Sequence, residues 1–432
     1  MTTSKQKLRG PKYGIWLISE DLPVNFAITL RIRGSFTVDV FQQVLDKVKR
    51  KYPSSATKVI KETGRAVYQV SDPDLQFPIR ISARKHSKSW VDEVTTEFTK
   101  PFDTYNEPPI RFIWLQGDEV SEIILICNHT FLDGYSAVYL VRDLLDYLGD
   151  SNLDVEPGTY STAMAELIPD FLGKRSVIWR GKVKAALLKT VLALKPQKKD
   201  QWKEMVSLAK RPYYVIPWVL TAEQTASLIE SSHTHGATVH AALCTAFLRA
   251  FGEHYKNGWM RTIQSPIDLR KRLPSQLKES LGLYIHLLDF NVNCALKRDF
   301  WEVAREIKQN FKHYSEDKLV FGSMLETIVF LDDLFSVITP QIVAQTYTGV
   351  EYDLSISNLG RLDFPIHYGS LILEALYGPA IGTNPQEITL GVATIGSKMH
   401  FTMTFTDLKL SPVQGEEVKE AAMKHLADAT KW

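Results

Sequence analysis

The sequence predicts an α+β protein built as two lobes of similar construction. A length of 432 residues is typical of two domains of about 200 residues each. Strand candidates alternate with amphipathic helices in both halves, and a segment of different, basic composition lies between them. We therefore place the first lobe at residues 1–175, the connector at 176–211 and the second lobe at 212–432.

The first half opens with a strand candidate at Phe26–Gly34 and a helix candidate from about Asp39 to Tyr52, where apolar residues recur at helical spacing. Pro53 ends that helix, because proline cannot continue it. Further strand candidates lie at Ala66–Ser71, Pro78–Ala83 and Ile110–Gln116.

The stretch SEIILICNHTFLDG at residues 121–134 has the strongest functional signal. An apolar run, Ile123–Cys127, predicts a buried strand that delivers His129 to its end, and a helix is predicted from Tyr135. A histidine held between a strand and a tight turn is well placed to act as a general base. The alternative is a buried histidine whose nitrogens are satisfied by backbone groups.

Asp133, four residues after His129, has two open interpretations. Its carboxylate could orient the imidazole, as in a catalytic triad. It could instead pair with an arginine and brace the turn, and an aspartate at the start of a helix is favourable without any catalytic role. The adjacent Gly134 and the predicted helix start favour the brace.

The segment from residue 174 to 211 holds 12 lysines and arginines against Asp200 and Glu204. Apolar residues are interleaved with the basic ones, which predicts a helical connector between the halves. Its charge would suit the phosphates of a cofactor-like substrate, the acidic surface of a carrier protein, or membrane lipid beneath an amphiphilic acceptor. A solvated linker helix is the remaining alternative.

The second half continues the mixed pattern. Helix candidates cover residues 221–236, a segment from Thr238 to about residue 255, and residues 415–432. Strand candidates lie at Tyr213–Leu220, Thr262–Pro274 (with a turn), Tyr284–Val292, Asp353–Gly360, Ile388–Gly396 and Met399–Asp407.

Two stretches of this half carry polar groups at predicted strand ends. Ser357 and Asn358 precede Gly360 and could donate hydrogen bonds to a developing oxyanion, although a simple turn explains the same residues. In SPIDLRKRL, Asp268 and Arg270 follow a strand. The guanidinium could brace Asp133 or its own neighbours, and a solvated charge cluster is equally compatible.

Composition excludes several classes of function. A net charge of +2 gives no general attraction to nucleic acid, so no nucleic-acid partner is expected. The three cysteines are far apart in apolar stretches, and no histidine cluster is tied to His129, so no metal site is expected. The polar N-terminus, the absence of an apolar run of membrane-spanning length and the apolar surroundings of the thiols favour a cytoplasmic protein.

Together these stretches resemble the CoA-dependent acyltransferase superfamily. It includes chloramphenicol acetyltransferase, plant BAHD acyltransferases, condensation domains, wax ester synthases and polyketide-associated acyltransferases. The family motif HHxxxDG corresponds here to Asn128, His129, Asp133 and Gly134. The first histidine is thus replaced by asparagine, which leaves the base intact, and the BAHD motif DFGWG is absent. Three further stretches resemble family segments in the same order: Gly236–Phe251, Ser265–Leu273 and Ser357–Gly360.

The resemblance implies two chloramphenicol-acetyltransferase-like lobes that form a pseudo-dimer with a tunnel at their interface. It implies an acyltransferase that moves an acyl group from acyl-CoA or an acyl carrier protein to a hydroxyl or amine, on a small-molecule or lipid-like acceptor. His129 would be the base, with Asp133 beside it in the motif and Ser357 or Asn358 stabilising the oxyanion. No acyl-enzyme and no cofactor are expected. A free-standing condensation enzyme and a catalytically silent binding module are the alternatives.

Overall fold

A computed structural model describes most of the chain, and all structural statements below concern that part. The described residues are 5–62, 67–156, 158, 164–171, 173–194, 203, 206–255, 258–335, 337–340, 342 and 352–432.

Strands from both halves build two large sheets and one small one. The first-half strands are β1 (Lys5–Lys7), β2 (Asn25–Arg33), β3 (Thr57–Lys61), β4 (Val67–Ser71), β5 (Ile79–Ala83), β6 (Ile110–Gln116) and β7 (Val120–Asn128). The second-half strands are β8 (Tyr213–Leu220), β9 (Met260–Asp268), β10 (Ile285–Asn293), β11 (Leu354–Leu362), β12 (His367–Tyr368), β13 (Leu371–Gly382), β14 (Thr389–Ile395) and β15 (Lys398–Thr406).

The α-helices are distributed over both halves and the connector. They are α1 (Gly10–Ser19), α2 (Val38–Lys51), α3 (Ser89–Glu97), α4 (Gly134–Gly149), α5 (Met164–Leu167), α6 (Lys174–Leu194), α7 (Ala222–Thr234), α8 (Val239–Tyr255), α9 (Phe300–Tyr314), α10 (Asp317–Leu334) and α11 (Pro412–Thr430).

The two large sheets each have six strands. One has the order β12-β13-β2-β7-β6-β5 and the other β10-β9-β11-β14-β15-β8, while β1, β4 and β3 form the small sheet. The first large sheet therefore contains a long strand, β13, that comes from the second half of the chain and pairs antiparallel with β2. This exchange joins the two lobes through backbone hydrogen bonds as well as side-chain packing.

Each large sheet buries one face under helices, because its strands carry aliphatic residues where a helix covers them. Residues Ile123–Cys127 of β7 are fully buried. Ile123, Leu125 and Cys127 lie in a core shared with α2 and α4, whereas Ile124 and Ile126 lie in a cluster on the opposite face. The second lobe packs α8 and α11 on its sheet, and α8 is buried from Ala241 to Gly252. A third apolar cluster, which includes Ala27, Trp90 and Val215, holds elements of both lobes together.

The α+β fold class with two lobes is confirmed. Nearly every predicted strand and helix is present with ends shifted by a few residues, and Ile110–Gln116 and Tyr213–Leu220 match their predicted bounds. The sequence does not predict the helices α1, α3, α5, α9 and α10 or the strands β1, β3, β12 and β13. The boundaries 1–175, 176–211 and 212–432 stay a prediction. The structure adds that α6 begins at Lys174 and that His367–Gly382 contributes to the first large sheet.

The connector is helical over Lys174–Leu194. Arg180 and Lys184 on this helix pair with Glu326 of α10, so part of the basic charge is used in packing. Lys195, Lys198, Lys199, Asp200 and Glu204 lie outside the described residues. No described helix combines the length and the apolar character needed to cross a lipid bilayer.

Candidate active site

A cavity of about 720 Å³ lies between the two lobes, and His129 is in its wall. The second large sheet turns one face towards it. Since paired residues on neighbouring strands project to the same side, Asp289, Gln264, Ser355 and Thr389 form one row of side chains across four strands. All four line the cavity, together with groups from α1, α4 and α10.

The first large sheet fixes the backbone of His129. β7 ends at Asn128, and the next amide, that of His129, donates to the carbonyl of Val24 at 2.8 Å. The imidazole packs on the ring of Phe26 with centroids 4.9 Å apart. The ring therefore projects from the end of two buried strands into the cavity and has little freedom to move.

One hydrogen bond sets the tautomer of this imidazole. Nδ1 lies 2.9 Å from the carbonyl oxygen of Leu132, which can only accept, so Nδ1 carries the proton and Nε2 keeps its lone pair. Burial lowers the pKa of His129 from 6.5 and outweighs the opposing influence of the Asp133 charge. The ring is thus neutral at physiological pH, the state that a proton acceptor needs.

Asp133 makes its contacts away from the imidazole. Its carboxylate accepts two hydrogen bonds of 2.9 Å from the guanidinium of Arg270 and one of 2.8 Å from the amide of Tyr284. A further bond of 2.8 Å from the amide of Ser136 makes it the N-cap of α4. No hydrogen bond to His129 is present among the described residues, so the geometry makes Asp133 a brace.

The electrostatics of this pair agree with that assignment. Burial by itself would raise the pKa of Asp133, but the charge and hydrogen bonds of Arg270 and the backbone amides dominate, and the net pKa is lowered. Arg270 is also almost fully buried, and it donates at 2.8 Å to Asp268 as well. Arg270 therefore binds both of the partners that the sequence suggested for its guanidinium, Asp133 and the neighbouring Asp268.

The Asp133–Arg270 pair also connects the two lobes. Asp133 and Ser136 belong to the turn and helix after β7, whereas Arg270 and Gly282 follow β9 in the second half. The amide of Gly282 donates to the Ser136 hydroxyl at 3.0 Å. The turn that carries His129 is therefore fixed by the facing lobe as well as by its own sheet.

Asn128 and Gly134 have structural roles in this turn. The Asn128 side-chain oxygen accepts from the amide of Thr130 at 2.9 Å and closes the turn beneath His129. Gly134 is the first residue of α4, and a Cβ atom there would lie 3.1 Å from a methyl group of Leu359 on the facing lobe. Glycine at this position thus allows the two lobes to approach each other closely.

The two oxyanion candidates lie in the cavity wall at a bulge of β11. The register of β11 shifts between Asn358 and Arg361, where Gly360 has φ of +70°. The Asn358 side-chain oxygen accepts from the Gly360 amide at 2.8 Å, which leaves its NH₂ group as a donor. Ser357 is only 9% exposed, and its hydroxyl has no hydrogen-bond partner among the described residues.

Sequence reasoning missed several polar groups of the cavity. Lys12 on α1 lies beside Phe131, and burial lowers its pKa to about 8. Tyr135 donates to the Leu359 carbonyl at 3.0 Å across the lobes. Glu387 lines the cavity, and burial raises the pKa of its carboxyl to about 7. Their sequence neighbours form no motif, and only the fold brings them together.

His235 and His240, the histidines around the start of α8, have contacts other than metal ligands. His235 stacks on Trp301 with ring centroids 4.5 Å apart, and His240 Nε2 lies 3.1 Å from the Ser265 hydroxyl oxygen. Within the described ranges, no three histidine, cysteine, aspartate or glutamate side chains are grouped in a way that would hold a metal ion.

Comparison with known proteins identifies one family. The model of the condensation domain matches residues 20–429. Bacitracin synthase 3 of Bacillus licheniformis is 22% identical over 318 residues, 71% of this chain, and a linear gramicidin synthase of Brevibacillus parabrevis is 23% identical over 341 residues, 73% of this chain. The matches cover 5% and 6% of those proteins, so the chain spans a small part of their length.

Solved structures show the same fold at low identity. The trichothecene 15-O-acetyltransferase of Fusarium sporotrichioides aligns with a TM-score of 0.72 at 12% identity, covering 99% of this chain and 95% of that one. The first condensation domain of the calcium-dependent antibiotic synthetase aligns with a TM-score of 0.69 at 13% identity, covering 99% and 96%. At these identities the structural similarity establishes the fold only. The reaction has to be inferred from the residues of the site.

Proposed function

The chain belongs to the condensation-domain family, and from that premise we propose that it is an acyltransferase in which His129 is the general base. The observation that carries the proposal is the imidazole in the wall of the inter-lobe cavity, with Nδ1–H held by Leu132 and Nε2 unprotonated. The substrates would be an acyl thioester and a hydroxyl or amine acceptor, and they would meet in this cavity.

The proposed step balances without an acyl-enzyme. Nε2 of His129 accepts the proton of the acceptor O–H or N–H while the acceptor oxygen or nitrogen bonds to the thioester carbonyl carbon. The oxyanion formed on the carbonyl oxygen collapses, the C–S bond breaks, and the imidazolium returns the proton to the leaving thiolate. The products are the ester or amide and the free thiol. Holding both substrates beside one base supplies much of the rate.

Ser357 is the stronger of the two oxyanion candidates. Its hydroxyl faces the cavity without a partner among the described residues, whereas Asn358 already uses its side-chain oxygen to hold the β11 bulge. A hydroxyl group without a hydrogen-bond partner in the free protein can donate to the negative charge that develops on the carbonyl oxygen during the reaction. Asp133 and Arg270 enter the proposal as positioning residues, because they fix the turn that carries the base.

The acyl donor is proposed to be acyl-CoA or an acyl carrier protein. Lys7 and Lys12 of the N-terminal segment line the cavity, and neither belongs to an ion pair inside it among the described residues. Phosphate oxygens are carried both by CoA and by a carrier's phosphopantetheine arm, so both donors fit these cations. The family and the peptide synthetases among the relatives favour the carrier-bound alternative, an amide- or ester-forming condensation enzyme.

The exposed face of α6 is a second surface to which partners of the donor class can bind. Trp179 and Leu187 are exposed there, and Arg175, Lys182 and Lys189 have no ion pair among the described residues. Such a face suits an acidic carrier protein, and contact with an anionic membrane surface is the alternative that the sequence left open. Sedimentation with anionic and with neutral vesicles separates these two partners.

The test of the base is His129→Ala. Turnover is measured as thiol release from a panel of acyl-CoA and acyl-carrier donors with alcohols and amines, and the variant is expected to lose at least about 100-fold. His313→Ala is the matched control, because His313 is an exposed histidine outside the cavity. Near-normal turnover in the His129 variant would contradict the assignment. A complete lack of turnover of the unmodified chain with donors of both kinds would favour the silent binding module.

A further inference from the structure

One end of the cavity is acidic, and nothing in the acyl-transfer step uses it. Asp289 on β10, Tyr352 before β11 and Glu387 before β14 line the cavity at the row that contains Gln264. Tyr352 and Gln264 lie beside Asp289, and the side-chain amide of Asn384 donates to Glu387 at 2.9 Å. Two carboxylates from distant parts of the chain thus face one space.

No cation among the described residues pairs with these carboxylates. Neither Asp289 nor Glu387 belongs to an ion pair in that part of the chain, and their hydrogen-bond partners there are neutral groups. Burial raises the pKa of both carboxyls, and the charge of Lys409 lowers that of Glu387 by less. Glu387 is partly buried, and a partly buried carboxylate without a counter-ion is costly, so a bound cation would offset that cost.

The opposite arrangement holds for two other carboxylates of the cavity. Asp268 is paired with Arg270, and Glu326 is paired with Arg180 and Lys184. The described part of the protein therefore supplies a counter-ion for each of these groups but leaves Asp289 and Glu387 without one. This contrast within one cavity is what distinguishes the acidic end from an ordinary cluster of surface acids.

The donor proposed for the oxyanion lies on the same wall of the cavity as the acidic end. The Ser357 hydroxyl, on the next row of the same sheet face, belongs to a residue that is more than nine-tenths buried, and it faces the cavity without a partner among the described residues. Buried hydroxyl groups are normally hydrogen-bonded. The unpaired donor and the two carboxylates without a counter-ion thus lie along one wall, as expected where a polar ligand supplies the missing partners.

The acidic end lies within reach of the base for a small molecule. Asn25 of β2 is paired with both Asn128 and Gly382, so the turn 383–387 starts about 10 Å from the His129 backbone, two strand spacings across the sheet. His129, Thr383 and Glu387 all line the same cavity. A short aliphatic chain can therefore place one end at His129 and the other at Glu387.

We propose that the acceptor carries a cationic nitrogen that binds between Asp289 and Glu387, and that it is an aliphatic diamine, polyamine or amino alcohol acylated at its other end. This deepens the proposed function and rests on it for the chemistry at His129. Charge-assisted hydrogen bonds to the carboxylates would select acceptors with a distal ammonium group over neutral ones of equal length.

A binding experiment tests the acidic end without any turnover. Cadaverine and 1,5-pentanediol have the same length and differ in charge, and both are titrated calorimetrically into the full chain at about pH 8.5, above the pKa of about 7 of Glu387. Cadaverine is expected to bind at least about tenfold more tightly than the diol. Glu387→Gln is expected to remove that difference, and His129→Ala is expected to preserve it.

Two further variants complete the design. Glu326→Gln is the matched control, because Glu326 is also a cavity glutamate but already has its own cations. It should leave the preference for cadaverine unchanged. Thermal unfolding checks that each variant folds, and Asp289→Asn, at the exposed rim, carries the test if Glu387→Gln does not fold.

The outcomes separate this inference from the proposed function. Equal affinity for diamine and diol, or an equal loss in the Glu326 variant, would overturn the acidic acceptor site. If neutral alcohols are acylated as fast as diamines, acyl transfer stands and the cation site fails. If cadaverine binds through Glu387 but no thioester is consumed, the cation site stands and the reaction fails.

Discussion

Replacing Asp133 with asparagine tests the division of labour between the base and its brace. The substitution keeps the size of the side chain and removes its charge. Two of the four hydrogen bonds described above for the carboxylate come from Arg270, which is itself almost fully buried and would keep Asp268 as its remaining partner. Breaking one side of a buried pair costs about 3–5 kcal/mol, and the retained partner places Asp133→Asn near about 3 kcal/mol.

The expected readout is a fall in the thermal midpoint. At ~2.1 cal/mol/K per residue, a chain of this length has an unfolding entropy of ~0.9 kcal/mol/K, so the midpoint should fall by about 3 °C in calorimetry at neutral pH. The lowered pKa of Asp133 sets the pH window. Its stabilisation is present above the ordinary carboxyl pKa of 3.8 and is lost as pH falls through the lower folded value, so the two proteins should converge in acid.

The loss of kcat in Asp133→Asn distinguishes a bracing role of Asp133 from a role in a catalytic triad. Were Asp133 to orient the imidazole directly, the amide would be expected to cost about 10⁴-fold in kcat, as in a serine protease. With Nδ1 held by Leu132, the loss below the unfolding temperature should stay under about 100-fold. Asp363→Asn, at an exposed ion pair, is the control and should change stability by less than about 0.5 kcal/mol. An unchanged midpoint with a 10⁴-fold loss of activity would refute the assignment.

Three other predictions address the base, the oxyanion donor and the contact between the sheets. Because burial lowers the pKa of His129, kcat/KM should be constant above pH 6.5 and fall on a limb centred below it, and a limb centred above 6.5 would contradict a buried base. Ser357→Ala should lower kcat about 100-fold at unchanged stability, whereas Asn358→Ala should mainly lower the thermal midpoint; the reverse pattern would exchange their roles. A Cβ atom on Gly391 would lie 2.0 Å from the backbone oxygen of Pro379 in the other sheet, so Gly391→Ala should destabilise the protein by about 3 kcal/mol in urea titration. Gly322→Ala, in open space within a helix, should be neutral or stabilising by up to about 1 kcal/mol, and equal effects at both sites would contradict the close approach.

The parts of the fold that were predicted are those in which local pattern and final environment agree. The run Ile123–Cys127 is apolar because both of its faces are buried, so its strand and the histidine at its end could be located from the sequence. The missed strand β13 contains Gly378 and Pro379, which are turn-forming residues, and its register is interrupted between Tyr377 and Ala380. Its pairing with β2 is a property of the tertiary fold that no local window contains.

The two halves of the candidate site differ in how far a local motif marks them. His129, Asp133 and Gly134 occupy one turn, so a short motif describes them, and Arg270 could be named because it follows a strand in a segment of its own. No short sequence motif of this kind marks the acidic end. Its two carboxylates are 98 positions apart in the sequence, at 289 and 387, and each taken alone resembles an ordinary polar residue near a strand end.

Strand β13 explains why the base and the acidic end belong to one site. This strand pairs with β2 beside the histidine turn and then continues into the segment that carries Asn384 and Glu387 before the chain enters β14 of the other sheet. A displacement of β13 along β2 would therefore move the acidic end relative to His129 while leaving each lobe's own core intact. Substitutions at the β2–β13 pairing should consequently change which acceptor lengths are acylated more than they change the rate with the best acceptor. Assaying a series of diamines of increasing length against such a variant measures that shift, and an unchanged length preference would separate acceptor choice from this strand.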